Sequence, residues 1–236
     1  MQNLQLYDHL LRFQLFQGLS RNELLQMAGN TKFGFMKQQA GQKMVQEGQP
    51  CRTLYFLVSG SMQLTTRSTD GGYCLLEQVH APWLLQPEAL FGASPQFSCT
   101  CQTIGACHFI TLSKDEVLRL LDDFLIIRLN LLNIFSTMAQ KRAMLQWRQA
   151  PGSLRQRFVR FLLDRVVYPA GPKELSILMT RLANELGNSR LLVSRMLNEL
   201  QAEELITLHR GRIAIHSLEK LLQAVAASPD GRKNLT

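Results

Sequence analysis

No stretch of this 236-residue chain stays apolar long enough to cross a bilayer. Its most apolar run, FLIIRLNLLNIF, is broken by Arg128, Asn130 and Asn133, groups too polar for hydrocarbon. Nor is the N-terminal stretch MQNLQLYDHLLRFQLF expected to be a secretory leader, because Asp8, His9, Arg12 and Gln14 interrupt its apolar residues. Cysteine is scarce and odd in number, five in all, which does not fit a disulfide framework in a chain this long. Charged residues make up only 19% against 46% hydrophobic, so the chain is globular and not disordered. No glycine-rich phosphate loop and no nucleophile–base pair can be found, and His80 and His108 stand alone instead of clustering with carboxylates. The expectation is a cytoplasmic protein with reduced thiols, no membrane partner and no enzymatic activity. The competing reading is a cupin-like metal-dependent enzyme barrel fused to a second module.

What the chain does have is positive charge. It carries 26 Lys and Arg against 18 Asp and Glu, a formal net charge of +8 and an isoelectric point near 9.5. Residues 151–236 hold 13 basic against 8 acidic side chains, and residues 1–150 hold 13 against 10, so the shorter C-terminal part is the more basic per residue. That balance favours a polyanionic partner, although an anionic lipid surface would serve the same charge.

Between about Lys32 and Leu112 the pattern is one of short strands. KMVQEGQP, TLYFLVSGSMQLTTR and YCLLEQVH are separated by the turn signals Glu47-Gly48-Gln49-Pro50, Ser59-Gly60 and Asp70-Gly71-Gly72. Evenly spaced strands of this kind make a small barrel or sandwich. At Ser113 the period changes. Ser113 and Glu116 have the spacing of a capping box, and a short helix to Leu121 precedes a long helical pattern from Phe124 to Gln149 without Gly or Pro. In it Ile127, Leu131, Ile134, Met138 and Leu145 keep the 4-3-4-7 spacing of a coiled-coil seam. The stripe is therefore expected to pair two copies of the chain; otherwise it packs on the chain's own β-rich part.

After Pro151-Gly152 the chain becomes compact: a helix capped by Ser153, a helix near Ile177–Leu186, a turn at Gly187 and a helix from Arg190 to about Ala202. Two short strands, LITLH and RIAIH, turn through Arg210-Gly211, and Ser217 caps a last helix. Two short helices joined by a glycine turn form a helix-turn-helix. Val193, Met196, Leu197 and Leu200 fall on the inner face of the second helix, leaving Arg190, Leu191, Ser194, Arg195 and Asn198 outside. Arginine can bond guanine O6 and N7 bidentately, and Ser189 as N-cap leaves a positive helix end for a phosphate. Arg210 and Arg212 would bring a wing against the backbone.

The order of β-barrel, long helix and winged helix-turn-helix resembles the cyclic-AMP receptor protein/FNR family of bacterial transcription regulators. MVQEGQPCRTLYFLVSGSMQL is similar to that family's early β-roll strands, with Gly48 and Gly60 on its turn glycines, and ILMTRLANELGNSRLLVSRMLNEL resembles its whole helix-turn-helix. The resemblance implies an α+β fold: a β-roll of the cyclic-nucleotide-binding type (a double-stranded β-helix) over 1–112, a dimerisation helix over 113–149, a winged helix-turn-helix over 150–222 and a flexible tail over 223–236. It places Arg190 and Arg195 on arginines at the DNA and Ser189 on a phosphate-contacting serine. It implies a homodimer on a palindromic double-stranded operator, with RNA polymerase as a further partner, and an effector that biases the helix pair. Leu191 stands where many members have glutamate, so the half-site should differ.

The family's cyclic-nucleotide pocket corresponds to LLQPEALFGASPQFSCTCQT. Glu88 matches, but Pro87 replaces a glycine and Ser98-Cys99-Thr100 stands where a phosphate-neutralising arginine belongs. Burying a phosphodiester without a counter-charge is costly, so cyclic AMP is not the expected effector. The iron–sulfur sensors of the family cluster cysteines near the N-terminus, whereas none precedes Cys51 here. Cys99 and Cys101 share one strand face and could hold a soft metal, form a redox pair or, with His80 or His108, ligate haem; buried reduced thiols are the plainer reading. No cofactor is expected, and the effector is left unidentified.

Overall fold

The computed structural model describes the backbone of residues 2–147 and 152–227 and the side chains of 6–143 and 152–227. The chain divides into two compact units. Among these residues the first unit takes those up to Gln63 together with Val79–Met144, and the second takes Leu64–Gln78 together with those from Leu145 onward. The class is α+β, as expected, with a β-rich N-terminal part, helices and a C-terminal helix-turn-helix.

In the first unit α1 (Gln2–Leu10) and α2 (Arg21–Asn30) lead into β1 (Gly34–Gln38), β2 (Lys43–Val45), β3 (Thr53–Ser59) and β4 (Ser61–Arg67). After β5 (Tyr73–His80) come β6 (Trp83–Leu84), β7 (Thr100–Thr103) and β8 (Cys107–Ser113), then α3 (Lys114–Asp123) and α4 (Leu125–Trp147). One antiparallel sheet runs β1-β8-β3-β6, and β2 pairs with β7. The two N-terminal helices were not foreseen, although α2 opens with a complete capping box: Glu23 N donates to Ser20 Oγ at 3.3 Å and Ser20 N to Glu23 Oε2 at 2.7 Å. Phe13 and Phe16, beside and in a 3-10 turn (Gln14–Phe16), pack edge-on and tilted against Phe56 of β3 at ring distances of 5.1 and 5.4 Å and close the core there. Between β3 and β4 only glycine fits: Gly60 has φ +98°, and a Cβ there would lie 2.6 Å from Ala106 O and Cys107 Sγ.

Half of the expected capping box at α3 is present. Glu116 N donates to Ser113 Oγ at 3.2 Å, but the Glu116 carboxylate is buried, accepts from Lys32 N at 3.2 Å and pairs with Arg119 at 2.8 Å. The break before α4 falls at Phe124, whose extended backbone ends α3, and Arg128 donates back to Leu121 O at 2.7 Å.

The 23 residues of α4 extend about 34 Å. Two residues expected on a dimer seam are not available for one. Ile127 and Leu131, 0% and 6% exposed, are buried in the core of their own unit, where Asn130 Nδ2 also donates to Leu15 O at 3.1 Å and Gln17 O at 2.8 Å. The 4-3 spacing was real, but it marks the face the helix turns to its own unit. Ile134 and Met138 are half-buried, and the side chain of Leu145 lies outside the described residues. The opposite face exposes Leu125, Leu129 and Leu132, the last at 56%. Ser136, Ala139 and Ala143, also exposed, continue the same 4-3 spacing.

The second unit comprises α5 (Leu154–Leu163), β9 (Lys173–Ile177), α6 (Met179–Glu185), α7 (Arg190–Ala202), β10 (Ile206–His209), β11 (Arg212–Ile215) and α8 (Leu218–Ala227). Strand β9 was not foreseen. It pairs with β11 on one side and with Tyr73–Glu77 of β5 on the other, giving the antiparallel order β10-β11-β9-β5. The hairpin that continues from β4 into β5, turning at Asp70-Gly71 as its sequence required, is thus part of this unit, and Leu75 is buried in its core with Phe158, Leu175, Leu182 and Val193. Beside Leu75 two buried charges meet: Glu77 Oε2 lies 3.7 Å from Lys173 Nζ, with both side chains inaccessible. The Glu77 carboxylate also accepts from Val167 N at 2.8 Å and Tyr168 N at 3.0 Å, while Lys173 donates to Ala170 O at 2.6 Å. The flexible tail expected over 223–236 is not found at Gln223–Ala227, which complete α8 with Val225 buried; residues 228–236 lie outside the described part.

Candidate nucleic-acid interface

The helix-turn-helix is held from within. Leu182, Ala183 and Leu186 of the first helix and its cap meet Val193, Met196, Leu197 and Leu200 of α7, all buried. The turn between them depends on Gly187, whose φ of +58° is left-handed, and on Asn188 N donating to Ala183 O at 3.0 Å. Ser189 caps α7: its Oγ accepts from Leu192 N at 3.3 Å, while its own N–H donates to Asn188 Oδ1 at 2.9 Å. A residue the sequence reading passed over steadies this turn. Arg157 of α5 donates to Leu186 O at 2.9 Å, and only its wide separation along the chain hid it.

With the apolar stripe inside, the outer face of α7 follows. Arg190, Leu191, Arg195 and Asn198 are exposed, Leu191 at 71%, and Ser194 is half-buried. Leu191, Ser194, Arg195 and Asn198, with Glu199 and Ala202, line one shallow trough of about 460 Å³ along the helix. Among the described residues neither Arg190 nor Arg195 has a carboxylate partner, so both guanidinium groups are uncommitted. The acidic end of the helix is committed: Arg155 binds Glu199 at 3.0 Å and Glu203 at 2.8 Å, and these carboxylates hold its pKa above the usual value. A basic outer face thus begins at the helix N-terminus, where the dipole adds positive potential.

The wing is the β10–β11 hairpin. Its tip is Arg210-Gly211, with Gly211 at φ +73°, and Gly211 O accepts from Ile177 N at 3.1 Å. Arg210 is exposed and has no carboxylate partner among the described residues. Arg212 differs, because it lies 3.6 Å from Glu174 across the β11–β9 pair and is partly neutralised.

In the first unit the residues proposed for an effector come together, but around a side chain not foreseen. Gln86, buried and left-handed at φ 34°, directs its amide into the Ser98–Cys101 segment. Its Oε1 accepts from Ser98 N at 2.7 Å, Ser98 Oγ at 2.9 Å and Cys99 N at 3.3 Å, and its Nε2 donates to Cys99 O at 3.2 Å. Cys99 and Cys101 are both buried, and the hydrogen bond between their thiols together with burial pushes Cys101 far above the usual thiol range. Burial of this kind disfavours the thiolate. Glu88 Oε2 is buried without a hydrogen-bond partner among the described residues. His80 and His108 are both exposed and Cys107 is buried; no group of three or more His, Cys, Asp or Glu fit to hold a metal occurs among the described residues. No helix among them is long and apolar enough to cross a membrane.

Comparison with known proteins matches this arrangement in two parts. A cyclic nucleotide-binding domain model matches residues 36–124, and a Crp-like helix-turn-helix domain model matches residues 156–224. No curated protein sequence matches the chain. Among solved structures, a catabolite activator protein from Thermus thermophilus is similar over 89% of this chain and 97% of its own, at 19% identity and a TM-score of 0.50. The sensor domain of the transcriptional regulator DNR from Pseudomonas aeruginosa is similar over 64% of this chain and 98% of its own, at 20% identity and a TM-score of 0.51. At these identities the structures establish the fold, and it is the pair of domain models in one chain that carries the assignment. The enzymatic barrel weighed from the sequence finds no support in them. With a cyclic nucleotide-binding domain followed by a Crp-like helix-turn-helix, the protein belongs to the CRP/FNR family of DNA-binding transcription regulators.

Proposed function

We propose that the chain acts as a homodimer on a palindromic operator, with Arg195 reading a guanine edge in each half-site and Arg210 resting on the phosphate backbone. The observation that carries this is the outer face of α7, where Arg190 and Arg195 form no ion pair among the described residues while Glu199 and Glu203 are tied to Arg155. Ser189, Ser194 and Asn198 complete that face, and Leu191 offers a methyl surface suited to thymine where a glutamate would select cytosine. Arg212 contributes less, since Glu174 shares its charge. The dimer seam is the exposed line Leu125, Leu129 and Leu132, continued by small residues that let two helices approach. RNA polymerase and the cytoplasm follow as partner and location.

The effector is not cyclic AMP on this reading. The N–H groups of Ser98 and Cys99 that could receive a phosphate are already filled by Gln86, and Ser98-Cys99-Thr100 supplies no arginine. The test of the DNA reading is to titrate variants against a site selected from random duplexes. Arg195→Ala should cost about 1–3 kcal/mol per half-site and relax preference at one base pair, whereas Arg210→Ala should weaken all duplexes alike and lower the salt slope by about 1. Equal losses on selected and scrambled duplexes for Arg195→Ala would place its guanidinium on the backbone.

A further inference from the structure

A second candidate site lies in the first unit, away from the cyclic-nucleotide cradle. The N-terminal segment covers the β1-β8-β3 face around Phe56, and Arg12 of that segment donates to Val58 O at 3.3 Å. Beyond that contact the cover stops. A cavity of about 1010 Å³ opens between α1, the end of α2 and the three strands.

Its walls are of two kinds. The apolar wall holds Phe35, Met36 and Val58, and Phe35 is 68% exposed although it is a large aromatic side chain on a sheet edge. The polar wall is a row across three strands. Lys37 of β1 is paired directly opposite His108 of β8, and His108 in turn is opposite Ser59 of β3. The imidazole Nδ1 and Ser59 Oγ are 2.8 Å apart, which fixes the ring and leaves Nε2 for another partner. Lys32 and His9 line the same cavity from the helical side. No Asp or Glu is among the lining residues, and neither lysine's ammonium group pairs with a carboxylate among the described residues.

Directly opposed side chains on neighbouring strands lie about 5 Å apart, so Lys37 and His108 converge there, and the ammonium groups of Lys37 and Lys32 at this cavity have no negative partner among the described residues. A concave, mostly apolar site with a few convergent polar groups is the form that small-molecule sites take. We infer that this cavity binds an amphipathic organic anion, its apolar body on Phe35 and Val58 and its carboxylate or phosphate head on Lys37, Lys32 and His108. The site requires nothing of the helix-turn-helix, so it can be tested without DNA.

The test uses the full chain and three twelve-carbon probes, dodecanoate, dodecyl phosphate and dodecanol, with binding followed by calorimetry. Dodecanoate or dodecyl phosphate should bind one per chain, and whichever is tighter identifies the preferred head group. Dodecanol should bind at least tenfold more weakly. Lys37→Glu should weaken the anion at least tenfold while changing dodecanol less than twofold, and Phe35→Ser should weaken all three. Both substitutions are at exposed positions, and unchanged circular dichroism and DNA affinity establish that the variants are folded. Equal binding of dodecanol and dodecanoate would overturn the anionic class. Anion binding indifferent to both Lys37→Glu and Phe35→Ser would place it elsewhere, for instance on the apolar line of α4, and no binding of any probe at millimolar concentration would overturn the site itself.

Discussion

The buried pair Glu77–Lys173 makes a demand that can be measured. Lys173→Met removes the ammonium 3.7 Å from Glu77 Oε2 and leaves a carboxylate with no access to water. Breaking a buried pair from one side costs about 3–5 kcal/mol, since the remaining charge is uncompensated. Burial already pushes the Glu77 carboxyl above its usual range and Lys173 below its own. Without the lysine, the Glu77 pKa rises further. A folded-state pKa raised above the unfolded value contributes stability that is full below the unfolded pKa and is lost as pH rises through the folded one. The deficit of Lys173→Met relative to the parent should therefore widen from pH 5 upward, by at most about 1.4 kcal/mol per pH unit. Glu77→Gln should be costly in the opposite sense: the lowered Lys173 pKa makes its deficit grow as pH falls from 10. The double variant leaves no charge buried, and its Gln can still accept from one of Val167 N and Tyr168 N, so it should recover at least about 2 kcal/mol of the summed losses. The assay is urea denaturation by circular dichroism across pH, with hydrogen exchange of the Lys173–Ile177 amides to locate the opening. Single losses that add within about 0.5 kcal/mol would refute the pair as an energetic unit, and a deficit of Lys173→Met independent of pH would refute the charge argument.

Two further outcomes are expected. Leu132→Glu, on the exposed face of α4, should give monomers in sedimentation with an unchanged circular dichroism spectrum, whereas Ile127→Glu should unfold the first unit because that side chain is fully buried; dimers of unchanged affinity with Leu132→Glu would move the seam. Gln86→Ala should destabilise by about 1–3 kcal/mol through the orphaned Ser98 and Cys99 N–H groups. Gln86→Gly should cost less, since glycine relieves the left-handed backbone at φ 34°, and equal costs in denaturation would mean that the backbone there is unstrained.

What could be read from the sequence was what is local. The face of α7, its Ser189 cap and the Gly187 turn depend on residues within four positions of one another, and a 3.6-residue period settles which side chains point inward. The same period could not say what α4 packs against. Ile127 and Leu131 formed a flawless seam on paper, and an apolar stripe looks identical whether it meets a second copy or its own unit; the polar Asn130, which donates to Leu15 O and Gln17 O, was the residue that distinguished them. Gln86 escaped notice for a related reason, because nothing in its neighbours announces a left-handed residue whose amide replaces a ligand. Strand β9 hid more deeply still. KELSI alternates as a strand should, but nothing local announces that its charged first residue meets Glu77, nearly a hundred positions earlier. That pairing has a consequence for the regulator. The chain passes between its two units at Gln63–Leu64 and Gln78–Val79 as well as at Met144–Leu145, so the hairpin Leu64–Gln78 is bonded at both ends to the β domain while its strand belongs to the sheet beneath the helix-turn-helix. A carboxylate held by Val167 N, Tyr168 N and Lys173 fixes that strand in place. Loosening that strand is expected to disturb the core that Leu75 shares with Val193 and Leu197 of α7.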